Sequence, residues 1–170
     1  MKKLLTLFMI LSVFAVVSSC GDSKPGDLPA SQNASATKSI NIVAAAGNTT
    51  TTETVFTKAD FAALEKYAKW VTSGEVLTTS EIAISGITEE NVELTNVRLY
   101  LASNTKTSLS LPNITGNKTF KELSQLNFLQ HIINEVAKRG SSKVVLTYKT
   151  SNTITKPVDF AIKLDASFKF

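Results

Sequence analysis

The sequence predicts a mainly β domain with two helices: an antiparallel β-sandwich of immunoglobulin type with helical insertions. Three observations predict it. Residues 158–170 alternate apolar and polar side chains from end to end. Strand-like runs recur about every ten residues, a sandwich spacing. Two stretches, 58–72 and 120–139, carry helical periodicity with start and stop signals at their ends. The alternative architecture is α+β, with both helices on one face of an antiparallel sheet.

The elements follow in order. Residues 40–46 (INIVAAA) read as a first strand, ended by Gly47-Asn48. Residues 49–54 are polar and β-branched, which fits a loop or an edge strand. Thr57 is the expected N-cap of the first helix, with Asp60 three residues on. Phe61, Leu64, Tyr67, Ala68 and Val71 then share one stripe, and Ser73-Gly74 supplies the stop. In residues 80–87, Ile82 and Ile84 share a face. Along 91–101, Val92 and Leu94 have one parity but Val97, Leu99 and Leu101 the other. One extra residue near Thr95-Asn96 reconciles them, so a β-bulge is expected there. Residues 107–111 form a short strand ended by Pro112. The second helix is expected from Phe120 to Arg139, with Thr119 and Glu122 as a capping box and Gly140 as the C′ residue. Its apolar face is Leu123, Leu126, Leu129, Ile133, Val136 and Ala137. Val144, Leu146 and Tyr148 mark one face of a strand at 143–149. In the last strand Val158, Phe160, Ile162, Leu164, Ala166, Phe168 and Phe170 face inward, and Asp159, Lys163, Asp165, Ser167 and Lys169 face out.

The amino-terminal segment carries an address. Lys2 and Lys3 precede an apolar run from Leu4 to Val17, broken by Thr6 and Ser12. That is the pattern of a removable secretory signal, too short for a stable membrane span. It ends at Val17-Ser18-Ser19-Cys20, and Cys20 is the single cysteine of the 170-residue chain. This tetrapeptide resembles the lipobox of bacterial lipoproteins. The resemblance implies cleavage after residue 19, a diacylglycerol thioether on Cys20 and acylation of the new amino terminus. It implies membrane attachment through that lipid, to the outer membrane sooner than the inner. Gly21-Asp22 with Lys24 is similar to the export signals of surface lipoproteins in the Bacteroidota. Residues 20–39 are small and polar, with Leu28 the one large apolar side chain, and are expected to form a flexible tether. Residues 40–170 are then one β-rich domain, large enough to bury a core unaided.

Composition excludes several chemistries. One cysteine precludes an internal disulfide, and one cysteine with one histidine precludes Cys/His zinc clusters. The net charge of +4 includes the two signal lysines, and no basic run interleaves with aromatics. Nucleic-acid binding is therefore not expected. His131, the lone histidine, falls on the polar side of the second helix, and no nucleophile-elbow motif accompanies it. Glu89, Glu90 and Glu93 cluster, but no calcium-loop spacing surrounds them, so they read as a solvated turn. Trp70 lies off the stripe of the first helix, three residues from Tyr67, and the two are the candidate binding aromatics. The phenylalanines of the last strand read as core, since two amphipathic helices are foreign to a membrane barrel.

No metal, cofactor or catalytic residue is expected. The sequence points to a lipid-anchored, non-catalytic binding domain for a glycan, a host protein or an envelope partner. An assembly subunit of an outer-membrane or adhesin complex is the alternative, with a carboxylate-only hydrolase as the third reading.

Overall fold

The structure, a computed structural model, describes residues 26, 28–88 and 92–170. The unbroken alternation at the end of the chain does form a strand. It pairs over its whole length with the polar segment expected to be tether. Strand β1 (Ser31–Ile42) lies antiparallel to the final strand (Val158–Lys169) over twelve paired positions. The expected tether at 20–39 is thus corrected at its end: residues 31–39 are strand. The periodicity is there, but Ala34 and Ala36 carry it, and alanines weigh little in a hydrophobic pattern. They are buried with Ile40 and Ile42, while Asn33, Ser35, Thr37 and Asn41 face solvent.

Strand β2 (Thr49–Thr57) is an edge strand, one of the two readings its threonines gave. The expected first helix is absent. Three single 3₁₀ turns stand in its place, at Lys58–Asp60, Ala62–Leu64 and Ala68–Trp70. Asp60 does cap the start, accepting bonds from the Thr57 amide at 2.7 Å and the Thr57 hydroxyl at 3.0 Å. Phe61 then leaves helical geometry (φ −95°, ψ 85°) and turns into the core. There its ring meets Phe168 edge-on, 5.0 Å between centroids. Positions 61, 64 and 67 are spaced by three, so they fit three residues per turn as well as 3.6.

Next come β3 (Ser73–Val76), β4 (Glu81–Ser85), β5 (Leu94–Leu101), β6 (Asn104–Ser110) and β7 (Lys118–Phe120). The expected bulge is present in β5: its register against the later strand Ser141–Thr150 shifts between Thr95 and Arg98, and Asn96 takes φ 52°. All five apolar residues of both parities are buried as a result. The one α-helix among the described residues, α1, spans Leu123–Arg139. Its N-cap is Glu122, not Thr119, because Thr119 and Phe120 belong to β7 and pair with β4. Phe120 is 4% exposed, and burying it in the sheet outweighs the local capping signal. The buried face centres on Phe128, Leu129, Ile132, Ile133, Val136 and Ala137, leaving Leu123 exposed. Gly140 closes the helix in the left-handed region, as expected. Strands β8 (Ser141–Thr150) and β9 (Val158–Lys169) complete the chain.

Two antiparallel sheets result. One runs β1-β9-β4-β7, with β3 pairing beside β4 on the same edge of β9; the other runs β2-β8-β5-β6. Their inward faces and α1 share one continuous core, so the sheets form a sandwich. With β3 and β4 counted as one interrupted strand, this is the order of a double-sheet jelly roll. An immunoglobulin domain would instead divide its strands ABED and CFG. The expectation of an immunoglobulin-type sandwich is corrected on that ground, and that of two helices on the helix count.

Candidate functional site

The interruption between β3 and β4 organises an open cleft on the outer face of that sheet. β4 pairs with β9 up to Lys163, and β3 pairs from Ala166 onward. Asp165 falls in the gap. Its backbone is satisfied from the side: the Leu77 amide donates to its carbonyl at 2.7 Å. The Ser80 hydroxyl donates to the same carbonyl at 2.9 Å and accepts from the Asp165 amide at 2.8 Å. Ser80 is wholly buried and replaces a missing strand residue.

The Asp165 side chain emerges on the outer face of the sheet, yet it is only 7% exposed. Ser35 of β1 stands directly across from it, and the Lys163 ammonium lies 3.0 Å from Oδ2. Burial works to raise the carboxyl pKa. Hydrogen bonds from Ser35, Thr79 and Lys163, with the Lys163 charge, outweigh it and hold the group below the usual carboxylate range. Asp165 is therefore ionised at neutral pH. Its other oxygen, Oδ1, is buried without a hydrogen-bond partner. Above these groups opens a cleft of about 510 Å³, lined by Asn33, Ser35, Thr79, Lys163 and Asp165 with Ala63 and Leu77 at its margin. That volume lies within the ~300–1,000 Å³ of small-molecule sites.

The residues singled out in the sequence lie elsewhere. Cys20, the residues before it, Glu89 and Glu90 are outside the described residues. Tyr67 packs edge-on against Phe170, 5.4 Å between centroids. Trp70 is half-buried with the Lys69 ammonium 4.5 Å from its ring centre. Neither borders the cleft. His131 is exposed, as expected, in a groove between α1 and β6. There Glu135 already accepts bonds from Ser103, from Ser142 at 2.8 Å and from Arg139 at 3.2 Å. Among the described residues no three His, Cys, Asp or Glu side chains come together to hold a metal ion. No described helix is long and apolar enough to cross a membrane.

The cleft was missed in the sequence because Asp165 reads there as one more solvent-facing residue of an alternating strand. The loop that covers it lies about eighty residues away, and Ser80 stands there within the polar stretch Thr78–Glu81 with nothing to set it apart.

Scanned against known protein families, the chain matches no family model. No curated protein matches it either. Among solved structures, a chain of Desmodium yellow mottle tymovirus is similar at 15% identity, covering 86% of this chain and 95% of that one. The TM-score of 0.41 is too low to bear on function.

Proposed function

We propose that this is a lipid-anchored envelope protein whose sandwich domain binds a partner without catalysis, at the cleft around Asp165. The anchor is Cys20, at the end of a lipobox-like signal. The observation that carries the binding role is the buried, ionised Asp165, set between hydroxyl and amide side chains at the floor of an open cleft. A carboxylate paired with Lys163 at 3.0 Å and held below the usual carboxylate range stays ionised near neutrality and is poorly matched to shuttling a proton there. Attachment to the outer membrane, with a glycan, host protein or envelope protein as partner, completes the reading.

A second reading, an assembly subunit, is favoured by one feature. β2 ends its sheet with nine residues rich in threonine, an edge able to take a partner strand.

The test joins anchor and address. Cells are fed an alkyne-tagged palmitate, and intact and lysed cells are then treated with protease. The expected outcome is a labelled wild-type chain, an unlabelled Cys20→Ala chain and a cleavage pattern that assigns the domain to one side of the outer membrane. A wild-type chain without label, recovered in the soluble fraction, overturns the anchored reading.

A further inference from the structure

We propose that the end of the sandwich where β1 begins docks on a lipid bilayer. Tyr67, Trp70 and Phe170 rest at head-group level, and Lys66, Lys69 and Lys169 meet the anionic phosphates. The proposal rests on the anchored reading, which fixes where lipid stands relative to β1, and does not involve the cleft.

Pairing and packing gather these groups at one end. Ser31, the first residue of β1, pairs with Lys169, and Lys169 pairs on its other side with Ser73. The Thr72 amide donates to the Lys169 carbonyl at 2.9 Å. The next residue, Phe170, packs against the core and meets the Tyr67 ring edge-on at 5.4 Å. The Trp70 amide donates to the Tyr67 carbonyl at 2.9 Å, so the turn sets Trp70 beside them. All three rings are half-buried. One part of each lies against protein and the other is open to solvent, the disposition of aromatic side chains at a membrane–water boundary. Lys66, Lys69 and Lys169 are exposed around them, and the Lys69 ammonium lies 4.5 Å from the Trp70 ring centre. Glu65 is the acid in the same turn. Lysines near a surface of anionic lipid are drawn to it.

Chain length selects the occupant. Eleven residues lead from Cys20 to Ser31. Fully extended, they span at most about 40 Å. A lipid on Cys20 therefore keeps the Ser31 end within that distance of the bilayer. β1 itself, twelve residues at about 3.3 Å each, is as long. The far end of the sandwich, where Ile42 pairs with Val158, meets lipid only if the link runs straight back along the whole strand. The aromatic end is the one the anchor delivers.

Trp70 is the single tryptophan of the chain, so its fluorescence reports this surface alone. The full-length protein is extracted in detergent, its lipid is checked by mass spectrometry, and it is reconstituted into vesicles. One set is phosphatidylcholine alone, and the other adds phosphatidylglycerol. Trp70 emission is expected to be quenched by acyl chains brominated near the head group, more strongly in the anionic vesicles and less as salt rises. Lys66→Gln, Lys69→Gln and Lys169→Gln each lower the ratio of docked to undocked protein about fivefold. All three side chains are exposed, so these variants keep the fold. Lys156→Gln, at the opposite end, leaves the ratio unchanged.

A chain that carries lipid but shows no quenching in either vesicle overturns the docking and leaves the anchor standing. Quenching that is equal in both vesicles and indifferent to all three variants overturns the lysine–phosphate contact and the surface proposed. A chain without lipid overturns the anchored reading, and the docking falls with it.

Discussion

At the scale of single residues, Asp165 and Ser80 depend on each other. Ser80 supplies a donor and an acceptor to the Asp165 backbone where the sheet has none. Ser80→Ala leaves the buried Asp165 amide without its partner, and we expect a loss of about 1–3 kcal/mol, read from urea unfolding. An unchanged midpoint would mean that water replaces the hydroxyl without cost. The Asp165 carboxyl gives a second prediction. Its folded pKa lies below the ordinary value, so the unfolded chain takes up the proton first. The stabilisation is complete above the ordinary carboxylate pKa of about 3.9 and is lost as pH falls through the depressed folded value. Asp60 adds to the same slope. Burial opposes its ionisation, but the Lys38 ammonium at 2.5 Å and the two Thr57 donors outweigh that and lower its pKa. Thermal melts from pH 6 to pH 2 should therefore fall less steeply below about pH 4 in Asp165→Asn than in the wild type. Parallel curves would remove Asp165 from the acid response.

At the scale of elements, helix α1 acts as a strand substitute. The outer edge of β3 would expose unpaired backbone groups. Gln130 covers them, accepting the Val76 amide at 2.7 Å and donating to the Gly74 carbonyl at 2.9 Å. Gly74 lets the helix come this close, since a Cβ there would lie 2.6 Å from Ile133 Cγ2. Gln130→Leu keeps the bulk but leaves both backbone groups unpaired, at an expected cost of about 1–3 kcal/mol and faster aggregation through the opened edge. Unfolding and light scattering read the two effects separately. This contact also marks what local pattern conveys. The β5 bulge was legible, because a parity change within one strand can only be mended locally. The last strand and the body of α1 were legible for the same reason. Residues 58–72 misled because a spacing of three satisfies both helix types, and the winner is set by Phe61 reaching Phe168, over one hundred positions away. Thr119 misled because its capping signal competes with a β4 partner that no local window contains. The cleft has the same difficulty, since β1, β9 and the loop before β4 contribute to it from three distant parts of the chain.

At the scale of the whole molecule, the two ends of the described chain hold each other. β9 is central in its sheet: β1 covers one edge along all twelve positions, and β3 and β4 share the other. The fold is therefore closed by the pairing of its first strand with its last, a contact of high sequence separation that forms at large entropic cost. Domain boundaries drawn from composition alone would cut through it. A chain beginning at residue 40 would lack most of β1 and expose the β9 edge and the inward side of the core that Ala34 and Ala36 cover. A chain beginning at residue 28 would keep the strand entire. We expect the longer chain to unfold in one cooperative transition and the shorter one to melt much lower or to aggregate on expression. Equal melting temperatures would show that β1 adds little stability and restore residues 31–39 to the tether. The difference has a mechanical meaning for an anchored protein. If β1 is integral and the anchored reading proposed above holds, a pull on the amino-terminal end of β1 bears directly on β9, the strand that carries Asp165. Ser35, directly across from Asp165, lies only four residues into β1.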